Sequence, residues 1–210
     1  SSGISSKIAD GGWNTGVSLV DVNKDGLKDI YVCRAGIEGT PVELRTNLLF
    51  VNQGNSKFIE KAKQYGVDDS GFSIHATFFD MDNDGDQDLF VVNNDHALAY
   101  GSNIASQNNS SSGINKLYEN LGNGSFKDVS ASNGILHQSS LSLSATVSDL
   151  NKDGWMDIYV TNDLKYGDHI YINQGQGIFK DESRDRATHF SMNAMGSDIA
   201  DINNDGYPDV

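Results

Sequence analysis

Cysteine occurs once in this sequence, at Cys33. That excludes an internal disulfide and any zinc site built from several thiolates. The expected role of Cys33 is that of a small buried hydrophobe. Proline is nearly as scarce, with two copies, and there are only 5 Glu against 24 Asp. Helix-rich acidic proteins lean on Glu, because Asp prefers turns and caps to helix interiors. No apolar run approaches the roughly 18 to 20 residues of a membrane span. The opening Ser-Ser-Gly-Ile-Ser-Ser lacks the basic start and apolar middle of a signal peptide, as expected of a mature or trimmed chain.

What is present points elsewhere. The 22 Gly and 21 Asn beside the Asp residues mark a chain rich in turns. Hydrophobic residues make up 37% of the 210 positions, above the disordered range, and the length is ample for a core. The formal charge is −14. Such a charge repels nucleic-acid phosphates and favours cations.

The chain repeats itself. One nine-residue string occurs four times: DVNKDGLKD at 21–29, DMDNDGDQD at 80–88, DLNKDGWMD at 149–157 and DINNDGYPD at 201–209. An aliphatic residue follows each: Ile30, Leu89, Ile158 and Val210. A second string, with Asn first, Gly third and Phe seventh, begins at Asn52, Asn120 and Asn173. The interval from that Asn to the next Asp loop is 28, 29 and 28 residues. The interval from the Asp loop to the Asn string varies, at 23, 32 and 16. Repeat length therefore changes almost wholly in one segment: 34–46, 94–114 and 163–167.

Within a unit the runs are short, rich in β-branched and aromatic residues, and bounded by Gly, Asn and Asp, which is the strand signature. Four short strands per repeated unit predict an all-β fold: a β-propeller of four-stranded antiparallel blades. The middle strands are apolar on both faces, which suits blades stacked face to face better than a sandwich. Repeats are expected at approximately 12–66, 72–134, 141–187 and 194–210, the last incomplete, in one partial propeller. Propellers close with about 4 to 8 blades, so the expectation is a piece of something longer.

The Asp loop has the form of a cation cage. Side-chain oxygens alternate at positions 1, 3 and 5, Gly at position 6 permits a sharp turn, and Asp at position 9 returns a fourth side chain. The residue at position 7 offers its backbone carbonyl. Hard oxygen ligands in this number suit Ca²⁺ better than Mg²⁺ or Zn²⁺. An EF-hand would need Glu at position 12 and flanking helices; position 12 is Val32, Val91 and Val160, on strand-like flanks. The alternative is that Asp and Asn merely build Asx turns, but turns alone do not need three crowded carboxylates. The second loop adds Asp82 at position 3 and Asp86 at position 7, so it is expected to bind tightest.

The loop D-x-[DN]-x-D-G-x-x-D-[aliphatic] between strands resembles FG-GAP repeats, also called VCBS repeats, as in integrin α-subunit propellers and bacterial surface proteins. The N-x-G-x-x-x-F string, followed by Asp128-Val129-Ser130 or Asp181-Glu182-Ser183, looks most like the bacterial CRTAC/ASPIC-type members; Glu60 replaces that Asp in the first unit. The resemblance implies a calcium-stabilised propeller, usually seven-bladed, outside the cytoplasm, either extracellular or at a bacterial cell surface or outer membrane. It implies as ligands Asp21, Asn23, Asp25, Leu27 and Asp29; Asp80, Asp82, Asp84, Asp86 and Asp88; Asp149, Asn151, Asp153, Trp155 and Asp157; and Asp201, Asn203, Asp205, Tyr207 and Asp209. That is one Ca²⁺ per loop and up to four, the fourth doubtful for want of its supporting strand.

In such a blade the Asp loop and the Asn-Gly turn share one face, and the variable segment emerges on the other. The expected function is noncatalytic binding of a surface or extracellular protein or glycan through that second face, with loop 94–114 as the contact candidate. No nucleic acid or membrane insertion is expected. No G-x-S-x-G or H-E-x-x-H motif occurs. His75, His96, His137, His169 and His189 hold no shared place in the repeat, although His96 stands beside Asp95 at the root of the long loop. Trp13 and Trp155 are expected to pack or cover loops, and Asn108, Asn109 and Asn123 fall in N-x-[ST] sequons. The alternative is a calcium-dependent carbohydrate-active enzyme, a lyase or dehydratase, with catalytic residues largely outside this sequence.

Overall fold

The computed structural model describes residues 2–37, 39–94, 111–135, 140–164 and 167–210. Three four-stranded antiparallel sheets follow one another along the chain. Sheet I comprises β1 (Trp13–Val20), β2 (Asp29–Ala35), β3 (Leu48–Asn52) and β4 (Phe58–Glu60). Sheet II comprises β5 (Ser73–Phe79), β6 (Asp88–Asn93), β7 (Lys116–Asn120) and β8 (Phe126–Asp128). Sheet III comprises β9 (Ser142–Ser148), β10 (Asp157–Asn162), β11 (His169–Asn173) and β12 (Phe179–Asp181). Each is a simple meander in sequence order. The fourth Asp loop closes on a single bridge between Ala200 and Asp209.

Burial explains why the second strands read as apolar on both sides. Every residue of β6 is buried, and all but one of β2 and β10. One core lies between sheets I and II, where Tyr31, Cys33, Leu49 and Val51 meet Ala76, Leu89, Val91 and Tyr118. A second lies between sheets II and III, where Phe90, Val92 and Leu117 meet Ala145, Ile158, Val160 and Tyr171. Cys33 is buried in the first core as expected. Burial, with the nearby Asp69 charge, pushes its thiol pKa far up, so it is inert.

The outer face of sheet I is covered from the N-terminal side. Ile4 and Ile8 pack on Val32, Leu48 and Phe50. Ser2 O accepts the Phe58 N–H at 2.8 Å, as Asn133 O accepts that of Phe179 at 2.8 Å. Gly3, Gly66 and Gly134 all have φ between 76° and 87°. Each presses on the carbonyl of Phe58, Phe126 or Phe179, where a Cβ would come within 3.0 Å. Residues 2–4 thus sit on sheet I as 65–67 sit on sheet II and 133–135 on sheet III. The cover is partial. Val17 and Leu19 remain 65% and 66% exposed, and Trp13, expected to pack, is 57% exposed at the start of β1. Its counterparts on the later sheets face a preceding sheet; Trp13 does not.

The Asp or Glu after the Phe string is a strand cap. Asp128 Oδ1 accepts the Ser130 N–H at 3.0 Å, and Asp181 Oδ1 accepts that of Ser183 at 2.9 Å. The serine hydroxyls in turn accept the Leu117 and Ile170 N–H groups. In sheet I the longer Glu60 reaches Ala62 N at 2.7 Å without a serine. Asp181 also pairs with His169 Nδ1 at 2.9 Å. Burial alone would raise its pKa, but the His169 and Ser183 hydrogen bonds outweigh it and hold it at about 2. A depressed carboxylate contributes stability above its unfolded pKa and loses it as pH falls towards the folded one. Asp181→Asn is therefore expected to cost about 2 kcal/mol at pH 6. Chemical denaturation should show that difference shrinking as pH drops from about 4 to 2; a pH-independent difference would contradict the pairing.

Candidate metal centre: the repeated Asp loops

Each Asp loop joins the first two strands of a sheet. In loop 1 the Asp21 carboxylate accepts the N–H of Asp25 at 3.0 Å and of Gly26 at 2.8 Å. Asn23 Oδ1 accepts the Asp25 N–H, and Asp25 Oδ1 accepts that of Leu27. Loops 3 and 4 repeat all of these bonds through Asp149, Asn151 and Asp153, and through Asp201, Asn203 and Asp205. Loop 2 repeats them with Asp82 in place of Asn. The backbone curls because position 4 is left-handed in every copy: Lys24, Asn83, Lys152 and Asn204 have φ of 58° to 64°. The glycine that follows two residues later, Gly26, Gly85, Gly154 or Gly206, has φ of 82° to 91°, which a side chain would strain.

The ninth residue behaves differently. Asp29, Asp88 and Asp157 are 0%, 1% and 0% exposed. One oxygen of each accepts the N–H of the second loop residue: Val22 at 3.0 Å, Met81 at 2.9 Å and Leu150 at 2.9 Å. The other accepts the N–H of the Asn that opens the Asn-Gly turn: Asn52, Asn120 and Asn173, each at 2.8 Å. One buried carboxylate thus ties the Asp loop to the turn between strands 3 and 4. Both lie on one face, as the spacing predicts. In loop 4 Asp209 keeps the first bond, to Ile202 N at 3.0 Å, although most of that loop is exposed.

Neighbouring loops touch in chain order. Asn120 Nδ2 donates to Val22 O of the preceding loop at 3.3 Å, and Asn173 Nδ2 donates to Met81 O at 2.8 Å. Asn83 Nδ2 reaches Gly154 O at 3.3 Å, and Lys152 Nζ lies 4.0 Å over the Tyr207 ring. The position-7 side chains lie against the turn glycines: Leu27 by Gly54, Asp86 by Gly122 and Trp155 by Gly175. Trp155 is thus loop cover, as expected.

Loop 2 gathers the most charge. Ligand oxygens of Asp80, Asp82 and Asp88 all lie within 4.8 Å of one another. Asp84 and Asp86 fall outside that trio. Burial first, and then the neighbouring Asp82 and Asp86, push Asp88 up to about 7 against the pull of its two N–H bonds. Burial first, then Asp84, push Asp86 up to about 6, against Lys24. Asp82 is raised by burial and by Asp84 and Asp80; Asp29 and Asp157 are raised by burial and by the other carboxylates of their own loops. Asp86 Oδ1 is buried with no hydrogen-bond partner among the described residues. Crowded carboxylates such as Asp80, Asp82 and Asp88 have the chemistry a hard divalent cation satisfies. The donor set contains oxygen alone, so Ca²⁺ fits it and zinc does not.

The remaining sequence candidates separate. His75 Nδ1 accepts the Ala145 N–H at 3.4 Å and joins sheets II and III, a structural role. His169 belongs to the Asp181 cap. His189 is exposed, with Thr188 Oγ1 beside its ring at 3.1 Å. Asn123 forms a local turn with Ser125. Asp95, His96, Asn108, Asn109 and His137, and most of 94–114, lie outside the described residues.

A second repeated network escapes a search for loop motifs. Asn47, Asn115 and Asp168 each stand five residues before the Asn string. They accept the N–H of Arg34, Asn93 and Asn162 at the end of the second strand. Asn47 Nδ2 donates to Ser73 Oγ, and Asn115 Nδ2 to Ser142 Oγ, linking consecutive sheets on the face opposite the Asp loops. The constant offset of five residues before the Asn string was the usable signal.

Comparison with known proteins follows the same lines. The family model for FG-GAP-like repeats matches residues 93–160 and 149–210. Human (Homo sapiens) integrin alpha-6 is 38% identical over a stretch covering 34% of this chain and 7% of the integrin. The chain therefore spans a small fraction of that relative. A solved Agrocybe aegerita lectin, described as specifically recognising non-reducing terminal N-acetylglucosamine, superposes with a TM-score of 0.43 at 19% identity. That match covers 78% of this chain and 36% of the lectin, and at such a score it carries no weight for fold or ligand. The loops, the meander sheets and a family match over more than half of the residues agree: this chain belongs to the FG-GAP-like repeat family.

Proposed function

We propose that this chain is a calcium-stiffened segment of a β-propeller, extracellular or at a cell surface, that binds a protein or glycan through the face opposite its Asp loops. The observation that carries the reading is the convergence of the Asp80, Asp82 and Asp88 carboxylates on one point of a loop that recurs four times. In each loop the side chains at positions 1, 3, 5 and 9 and the carbonyl at position 7 would hold Ca²⁺: Asp21 to Asp29, Asp80 to Asp88, Asp149 to Asp157 and Asp201 to Asp209. The ion supplies positive charge that offsets the crowding. Loop 2 carries the most negative charge and would bind tightest, since affinity follows ligand charge.

Extracellular calcium modules bind at about 10⁻⁴ to 10⁻³ M. Millimolar calcium outside cells fills such sites and cytosolic levels do not, which supports an external location. Among the described residues no helix is long and apolar enough to cross a membrane.

Calcium would then fix one face, and the connections between strands 2 and 3, which vary in length, are expected to emerge on the other. Arrays of extracellular proteins and of glycans, probed in millimolar calcium and again in excess chelator, test this. Binding that needs calcium is expected. Removal of 94–114 should abolish it with the melting temperature unchanged; a large fall in melting temperature would make that segment structural instead.

A further inference from the structure

The later turn asparagines touch two Asp loops at once. Asn173 N donates to Asp157, the ninth residue of its own loop, at 2.8 Å. Its side-chain Nδ2 donates to Met81 O of the preceding loop, also at 2.8 Å. Met81 stands between Asp80 and Asp82, two of the three carboxylates that converge in loop 2. Asn120 repeats the arrangement one unit earlier. Its N–H meets Asp88, and its Nδ2 meets Val22 O, between Asp21 and Asn23. Asp29 and Asp88 close the path on the N–H groups of Val22 and Met81. Hydrogen bonds therefore run from Asp29 through Asn120, Asp88 and Asn173 to Asp157.

The path is shielded from water: Val22, Met81, Asn120 and Asn173 are all buried. Asn173 Oδ1 accepts the Gly175 N–H at 3.0 Å, which fixes the amide with its nitrogen towards Met81. A second bond between these units, from Asn83 Nδ2 to Gly154 O at 3.3 Å, is exposed and competes with water. Asn52 supplies a contrast. Its N–H meets Asp29 at 2.8 Å, and its Oδ1 meets Gly54 N at 2.9 Å, as in the later units. Its Nδ2, however, donates to Lys28 O within its own loop. Among the described residues Asn52 bonds to no other Asp loop.

An open loop presents no ligand set, so a cation favours the curled state alone. Curled loop 2 places Met81 O where Asn173 Nδ2 meets it. The turn that carries Asn173 also holds Asp157 for loop 3. The contact exists only when both elements are in place. Its net free energy is therefore shared between the two loops, and closing either one favours closure of the other.

We propose that Asn120 and Asn173 are positioning residues that couple neighbouring loops, so that filling one loop raises the calcium affinity of the next. The inference rests on the reading of the loops as calcium cages. The coupling amounts to about three- to tenfold in affinity, the worth of one neutral hydrogen bond.

Trp155 gives a local readout. It occupies position 7 of loop 3, and its indole lies against Gly175 of the Asn173 turn. Trp13→Phe removes the other tryptophan, which is exposed at the start of β1. The whole chain, stripped with chelator, is titrated with calcium while Trp155 fluorescence is followed, and bound ions are counted in parallel by equilibrium dialysis. Loop 2 is emptied by Asp82→Ala together with Asp84→Ala, whose bonds to the N–H groups of Asp84 and Asp86 are local. Two negative charges and one divalent ion leave together, so the charge beside loop 3 is nearly unchanged.

Emptying loop 2 is expected to move the Trp155 midpoint to about three- to tenfold higher calcium. In an Asn173→Ala background the same emptying should leave the midpoint where that variant has it. In an Asn52→Ala background, which loses the same kind of turn bond but no cross-loop bond, the full shift should remain. Asn173→Asp keeps the acceptor for Gly175 N and loses the donor to Met81 O, so it replaces the alanine variant if that one fails to fold. A midpoint that ignores the emptying of loop 2 overturns the coupling and leaves independent cages. A full shift that survives loss of the Asn173 donor overturns the role of the asparagine. Failure of the unaltered chain to retain calcium in dialysis overturns the cage reading itself, and this inference with it.

Discussion

Asp88→Ala is expected to cost about 3–5 kcal/mol of stability, even in excess chelator. The substitution removes the acceptor of two backbone N–H groups, those of Met81 and Asn120, in a site that water does not reach. Each buried donor left unpaired costs about 1–3 kcal/mol. For a chain of this size the melting temperature should fall by about 10 °C or more. Asp25→Ala supplies the contrast. Asp25 is exposed and its carboxylate caps only local turn bonds, so in chelator its loss should cost less than about 1 kcal/mol. Thermal melts of both variants in chelator make the comparison. Equal losses would contradict the assignment to Asp88 of a structural tie that Asp25 does not make.

The second large effect is the response to calcium itself. An ion that binds the folded loops and scarcely binds the unfolded chain stabilises by mass action. At about 10 mM calcium and the weak affinities usual outside cells, each occupied loop contributes about 1.4–2.7 kcal/mol. Three loops together are expected to raise the melting temperature by about 10–20 °C over the chelated protein. Magnesium should do less, because it keeps its waters and demands a tighter octahedron. Calorimetric scans in calcium, magnesium and chelator read this directly. Coincident calcium and chelator transitions would leave the loops as hydrogen-bonded turns alone.

How much of this was legible in the sequence follows from what repeats. The Asp loop, the Asn-Gly turn and the alternation of variable and fixed intervals were visible because each occupies a constant place in every unit. That was enough to predict three meander sheets and to put the loop and turn on one face. The substitution of Glu60 for Asp was visible too, and the structure shows what it does: its longer side chain reaches Ala62 N without a serine.

Other features depend on contacts between units, which no local pattern encodes. Asp29, Asp88 and Asp157 read as a fourth cage ligand; that they also accept two backbone N–H groups each required the folded turn. Asp86 read as an extra ligand for loop 2, but it lies outside the trio of converging carboxylates, buried beside Gly122 with Lys24 of the preceding loop nearby. The Asn47, Asn115 and Ser142 network shows in the sequence only as an offset from the Asn string; that its side chains link consecutive sheets required the folded chain. Trp13, expected like Trp155 to pack or cover a loop, is instead 57% exposed at the start of β1.

The charge of −14 gains a specific meaning from the loops. Side chains at positions 1, 3, 5 and 9 hold thirteen carboxylates between them. Four calcium ions would leave the chain near −6. The acidity is concentrated in four small sites instead of being spread over a general acidic surface.

The claim that these loops are cation cages is tested most directly by counting ions. The chain, stripped with chelator and dialysed to equilibrium against radioactive calcium, is expected to retain at least three ions per molecule. Asp82→Asn should lower the affinity of the tightest site without reducing the count. Retention of less than one ion per chain at millimolar calcium would contradict the claim and return the loops to the role of turns.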